Sequence, residues 1–266
     1  MAAHHTGALL MSAYEVVPVR AFSDNYIWTL RDESRAAVVD PGDAQPVIDY
    51  LEREGLELVA IVNTHHHADH VGGNARLLSR WKVPVFGPHD DRIPDVTRRV
   101  GDGDRVTLPH FDVALDVMEI PGHTRSHLSF SGDGMLFCGD TLFAVGCGRL
   151  FEGTPRQMHE SLSRLAQLAD DTRVYCGHEY TLSNIRFAKA LEPDNAALLA
   201  LEQRAAAQRE RDLPTLPTDI GQEKATNPFL RVTEPQVVAA ASTYAGRALE
   251  GPVDVLAAIR EWKNNY

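Results

Sequence analysis

The 266-residue chain is expected to fold as an α/β protein whose layered first part is followed by a helical region. Three observations carry that expectation. Short β-branched runs alternate with helical patterns over residues 1–180, as in sheets covered by helices. Beyond Tyr180 the sequence turns Ala-rich and helical, as over 195–211, broken by a Pro-bounded stretch at 214–217. The charge changes at the same place: residues 1–180 hold 16 Lys and Arg against 26 Asp and Glu, and residues 181–266 hold 10 against 11.

Taken in order, residues 14–19, 26–30, 36–39, 58–62, 113–120, 135–138 and 174–176 read as strands. Asp43 can cap a helix whose apolar positions Val47, Ile48 and Leu51 face one way, with Gly55 as its stop. Thr154, Pro155 and Gln157 form a capping box, and Met158, Leu162, Leu165 and Leu168 follow at helical spacing. Residues 1–12 carry no Lys or Arg and only a short apolar stretch, so they read as a loose extension rather than a secretory signal.

The longest apolar run has six residues, 196–201, far below the roughly 18 to 20 that cross a bilayer. No membrane partner is expected. Cys138, Cys147 and Cys176 are odd in number and form no CxxC pair, which points to a reducing, cytoplasmic setting. A formal charge of −11 opposes generic attraction to nucleic acid, whose binding draws on clustered Lys and Arg.

The chemistry concentrates after one strand. The run 58–62 delivers Thr64-His65-His66-His67-Ala68-Asp69-His70, four imidazoles and a carboxylate in six residues. Buried without partners such a cluster is costly, whereas neutral imidazole and carboxylate ligate zinc or iron well. Three more strands end in Gly followed by a further donor: Gly122-His123, Gly139-Asp140 and Gly177-His178. Strand ends that turn tightly at glycine can converge their next side chains on one sheet edge. His89, His110, His127 and His159 read as surface or hydrogen-bonded core. Cys138 and Cys176 read as small buried strand residues, and Arg125 as one half of a structural ion pair.

This series, HxHxDH followed by GH, GD and GH, resembles the metallo-β-lactamase superfamily, which implies a four-layer αββα sandwich over residues 13–180. THHHADHVGGN (64–74), GCGRLFEGT (146–154), CGHEYTLSN (176–184) and NPFLR (227–231) are similar to hydroxyacylglutathione hydrolase, or glyoxalase II. The resemblance implies one metal on His65, His67 and His123, a second on Asp69, His70 and His178, and Asp140 between them, which leaves His66 over in a structural or ligand-supporting role rather than as a ligand. It implies two divalent ions per chain, zinc expected ahead of iron or manganese, and hydrolysis of S-(2-hydroxyacyl)glutathione thioesters such as S-lactoylglutathione by a metal-bridging hydroxide, in methylglyoxal detoxification. Asp69 and Asp140 would then be catalytic as well as ligating.

The same resemblance implies substrate binding by Arg149, Phe151 and Tyr180 and, from a helical domain over residues 181–266, by Arg260 and Lys263, which share a helix face. Family members often carry Tyr where Phe151 stands. The expected partner is a small glutathione thioester bound by a monomer. A mononuclear-iron persulfide dioxygenase of the same fold is the alternative, with a nuclease and a structural metal protein behind it. Metal count separates the first two.

Overall fold

The computed structural model describes residues 14–266, so the loose extension expected over residues 1–12 lies outside them. The chain opens with β1 (Glu15–Ala21), β2 (Asn25–Arg31) and β3 (Arg35–Val39), followed by α1 (Ala44–Glu54) and β4 (Glu57–Val62). The short α2 (Ala68–Val71), α3 (Asn74–Arg80), β5 (Val85–Gly87) and β6 (Arg98–Arg99) complete a six-stranded mixed sheet in the order β1-β2-β3-β4-β5-β6. Next come β7 (Arg105–Thr107), β8 (Ala114–Glu119), β9 (Leu128–Gly132) and β10 (Met135–Gly139), then the hairpin of β11 (Leu142–Phe143) and β12 (Gly146–Cys147). After α4 (Pro155–Leu165) and β13 (Arg173–Cys176) the chain is helical: α5 (Thr181–Leu191), α6 (Ala196–Glu210), α7 (Ile220–Thr226), α8 (Pro235–Ala245) and α9 (Pro252–Asn264). Only β14 (Thr218–Asp219) interrupts these helices, closing a second sheet ordered β14-β13-β10-β9-β8-β7.

Strand alternation assigns the two faces of the first sheet. Ala37, Val39, Ala60 and Val62 point toward Leu115, Phe130, Leu136 and Val174 of the second sheet. Their neighbours Ala36, Val38, Leu58 and Ile61 pack under Val47, Ile48 and Leu51 of α1 and Leu77 of α3. Burying each of those α1 side chains contributes about 1.5–3 kcal/mol. Met158, Leu162 and Leu165 of α4 and Leu256 and Ile259 of α9 cover the second sheet in the same core. The result is the four-layer αββα sandwich.

The helix signals act as the sequence predicts. The Asp43 side chain accepts from Gln45 N and Gly55 ends α1 in the left-handed region at φ 69°. Thr154 and Gln157 exchange both hydrogen bonds of a capping box. Leu168, however, lies past the end of α4. All seven expected strands are present within two residues at each end. Seven strands escaped, among them β9, whose Leu-Ser-Phe-Ser-Gly reads as polar although Ser129 and Ser131 are buried between its neighbours. The others have two or three residues and exist because a partner strand is beside them.

One contact brings the sheets together at the functional edge. Asn25 forms a β-bridge with His178, Tyr26 N donates to Gly177 O at 2.9 Å, and Trp28 Nε1 donates to Cys176 O at 2.8 Å.

Candidate metal centre and substrate cleft

The turn after β4 and the ends of β10 and β13 meet at this edge, with His123 supplied by the segment following β8. His65 Nε2 and His123 Nε2 lie 3.1 and 3.0 Å from His67 Nδ1, so three ring nitrogens converge on one point. Across from them His70 Nε2 is 3.5 Å and His178 Nε2 is 3.4 Å from Asp69 Oδ2. Asp140 stands between the two sets. Its Oδ1 is 3.4 Å from His70 Nε2, and its Oδ2 is 3.3 Å from His178 Nε2 and 3.4 Å from His123 Nε2. The strand-end glycines make room: a Cβ on Gly177 would come within 2.7 Å of Asp140 Oδ1 and 2.8 Å of His70 Cε1, and one on Gly148 would overlap the Asp140 carbonyl oxygen.

The outer ring nitrogens fix the tautomers. His70 Nδ1 donates to Asp40 Oδ2 at 3.1 Å, His178 Nδ1 to Asp24 Oδ1 at 2.8 Å, and His123 Nδ1 to Arg149 O at 2.8 Å. Thr64 Oγ1 donates to Asp40 Oδ2 at 2.6 Å and accepts from His65 Nδ1 at 3.0 Å. In their neutral forms His65, His70, His123 and His178 therefore present an inner lone pair to another ring nitrogen or to a carboxylate. His70 Nε2 and Asp140 Oδ1 are buried with no hydrogen-bond partner. A shell of facing acceptors is stable only around cations, so these donors fit divalent metal.

Electrostatics separates the two sets. Burial holds His65 well below the ordinary imidazole range, and burial with the neighbouring His123 lowers His67 to about 4. These rings stay neutral at pH 7. Burial also opposes the charged form of His70 and His178, but Asp140 outweighs it, and both are raised. Asp140 is pulled well below the carboxylate range against its burial by His70 and His178.

Beside the cluster opens a cavity of about 840 Å³. Its floor is His67, Asp69, His123, Asp140 and His178, and its walls include Phe151, Tyr180 and Arg149. Tyr180 stacks on His178 with ring centroids 4.7 Å apart, and Phe151 stands edge-on to His67 and His123 at 5.6 and 5.3 Å. The far end is cationic. Arg260 is 4% exposed, donates to Cys147 O at 2.7 Å, lies over the Phe229 ring and leaves its Nε without a partner. Lys263 donates to Asn184 Oδ1 at 2.6 Å. Burial, with Arg260 foremost among its charged neighbours, pushes it down to about 8. Among the described residues neither makes an ion pair with a carboxylate.

Comparison with known proteins follows this geometry. Residues 22–178 match the family model described as metallo-beta-lactamase superfamily, and residues 179–266 match that described as hydroxyacylglutathione hydrolase C-terminus. A curated hydroxyacylglutathione hydrolase of Nitrosomonas europaea is 51% identical over 251 residues, covering 94% of this chain and 96% of the relative. The chain belongs to the hydroxyacylglutathione hydrolase family. Among solved structures, ETHE1 from Myxococcus xanthus aligns with a TM-score of 0.63 and 24% identity over 94% of this chain and 97% of that one, a likeness of fold. The crystal structure of TTHA1623 in a di-iron-bound form aligns with a TM-score of 0.58 and 26% identity over 81% of this chain and all of that one.

Within this hydroxyacylglutathione hydrolase fold all seven expected ligand positions come together, and all five expected substrate residues line one cavity. His66 points away, with Nδ1 3.6 Å from Asp90 and Nε2 3.8 Å from Glu152. Cys138 and Cys176 are wholly buried in the core, where burial raises their thiols above the ordinary range. The Arg125 guanidinium makes no ion pair among the described residues, against expectation; its backbone N–H donates to Glu152 instead.

Sequence reading missed Asp24, Asp40 and the role of His127. Asp40 ends β3 just as His65 follows β4, so a strand-end rule extended to Asp-Pro-Gly would have found it. Its backbone sits at φ 53°, in the left-handed region that few residues other than glycine adopt. Asp24 lies in the turn between β1 and β2 and carries no local signal. His127 is core, as expected, but it stacks on His65 with centroids 4.5 Å apart and touches the Asp140 backbone.

Proposed function

We infer that this chain hydrolyses S-(2-hydroxyacyl)glutathione thioesters to glutathione and a 2-hydroxy acid. The observation that carries the reading is a cavity with a double set of His and Asp donors together with a buried Arg260 and a half-buried Lys263 that have no ion pair among the described residues. A glutathione thioester has this polarity, a reacting carbonyl at one point and a fixed anion several bonds away. The curated relatives named hydroxyacylglutathione hydrolase support it over nearly the whole chain.

His65, His67 and His123 would hold one divalent ion, Asp69, His70 and His178 a second, and Asp140 would touch both. The di-iron form of TTHA1623 supports a count of two. Zinc is proposed as the native ion because the imidazole-rich set suits it, iron and manganese being accommodated by the same donors. Bound there, such a pair lowers the pKa of water to about 7 and polarises a carbonyl oxygen.

The chain's own residues do the rest. Asp69, held by Asn25 Nδ2 at 3.1 Å, would orient the attacking water toward the thioester carbon and take its proton, and Asp140 would serve catalysis by holding both ions in register. Arg149, Arg260 and Lys263 take the substrate's carboxylates, and Phe151 and Tyr180 flank the acyl end over the metal cluster. The leaving thiolate belongs to a thiol of pKa about 8.5 and departs without an obligatory acid. Residues 181–266 act as the substrate-binding part, because α9 supplies Arg260 and Lys263. Among the described residues no helix is long and apolar enough to cross a membrane. A cytoplasmic monomer acting on the product of methylglyoxal conjugation is the setting proposed.

Turnover of S-lactoylglutathione by metal-analysed protein tests the function. Two metals per chain with thioester cleavage are expected. One iron with oxygen uptake and no thioester cleavage would overturn it.

A further inference from the structure

The cavity carries a cation that neither the metal cluster nor the inner pair accounts for. Arg186 is exposed on α5 and lines the cavity together with Ser183 one turn earlier. Its guanidinium has no ion pair or hydrogen bond among the described residues; only its carbonyl is engaged, by Tyr266 Oη at 3.4 Å. It is close enough to Lys263 to disfavour that ammonium's charge.

We propose that Arg186 is a specificity-determining residue that pairs with the α-carboxylate of the substrate's γ-glutamyl group, on the exposed part of the cavity outside the buried Arg260. This rests on the glutathione-thioester reading above. The two ends of glutathione differ in a way the cavity can sort. The glycyl end is a lone carboxylate. At the γ-glutamyl end, carboxylate and ammonium sit on one carbon.

Arg260 is buried and Lys263 half-buried, neither with a counter-ion among the described residues, and the lowered dielectric there strengthens attraction to an anion and repulsion from an ammonium alike. They therefore select the glycyl carboxylate. The zwitterionic end is left to the open rim, where its ammonium stays hydrated. There Arg149 and Arg186 are both cations without an ion pair among the described residues. Arg149 is tied to the metal end by its carbonyl, which accepts from His123 Nδ1, so Arg186 is the one left for the γ-glutamyl end, and a guanidinium meets a carboxylate with two parallel hydrogen bonds.

The test pairs Arg186→Ala with a substrate change that deletes the same contact. In S-lactoyl-(4-aminobutyryl)-cysteinylglycine the γ-glutamyl α-carboxylate is missing while the ammonium is kept. With metal-loaded protein, Arg186→Ala is expected to raise KM for S-lactoylglutathione about three- to fivefold with kcat little changed, as an exposed ion pair predicts. The analogue should cost wild type a similar factor and Arg186→Ala nothing more, and Arg186→Lys should restore part of the loss. An unchanged KM in Arg186→Ala, or equal losses on both substrates, would overturn the assignment while leaving the hydrolase reading intact. Absence of wild-type turnover on S-lactoylglutathione would overturn both.

Discussion

His127 accepts the backbone N–H of Asp140 on Nε2 at 3.1 Å, while its own Nδ1 donates to the Leu128 carbonyl at 3.0 Å. The residue placed between the two donor sets is thus held from behind by a neutral ring of fixed tautomer. His127→Phe leaves a buried N–H without an acceptor and is expected to destabilise the fold by about 1–3 kcal/mol. Metal content should fall with it, and His127→Gln should retain more of both. Denaturant unfolding with metal analysis of each variant checks this.

Asp40 orients one imidazole in each set, His70 directly and His65 through Thr64. Asp40→Asn substitutes an amide N–H₂ for one accepting oxygen and frees at least one ring to rotate. Metal affinity is expected to fall by about 10- to 100-fold, the usual loss when the residue supporting a ligand is altered. Competition with a chromogenic chelator measures it without reference to turnover.

Lys263 gives a pH signature. Burial and neighbouring cations hold its ammonium at about 8, below the ordinary 10.5, so the charged form that binds carboxylate is complete below that pH and lost above it. The kcat/KM for a glutathione thioester is expected to decline as pH rises through about 8, and Lys263→Ala should lower it throughout and flatten that limb. A pH profile that keeps its decline in Lys263→Ala would refute the assignment.

Glu223 gives a second signature, in stability. Its carboxyl is fully buried and raised to about 7, because burial outweighs hydrogen bonds from Thr218, Asn227 and Val145 N. The folded state then holds the proton more tightly than the unfolded one, whose carboxyl titrates near 4.5. This contribution is present below pH 4.5 and is lost as pH rises through 7, a change of about 3 kcal/mol. Glu223→Gln should remove it. The difference in unfolding free energy between the two proteins, followed from pH 4.5 to 8, should change in that direction and by that order.

The ligand series was legible because it is local. A strand that ends in a polar turn places its next residues at a sheet edge, which gathers His65, His66, His67, Asp69 and His70 there. That rule does not set His66 apart, and only the family resemblance left it out, while the fold turns it toward Asp90 and Glu152. The NPFLR segment carried a resemblance but no reason. The structure supplies one: Asn227 Nδ2 donates to the carbonyls of Phe143 and Gly146, holding the hairpin that leads to Arg149.

By itself the sequence determined the strands, the capped helices and which side chains could ligate a cation, because alternation, capping and donor chemistry act over a few residues. Tertiary structure alone decided what stands behind those side chains. Asp24 reaches His178 across 154 residues, Asp40 reaches His70 across 30, and Arg186 of α5 shares a cavity with Arg260 and Lys263 of α9. Such pairings depend on how two sheets and a helical layer pack, and no periodicity along the chain records that.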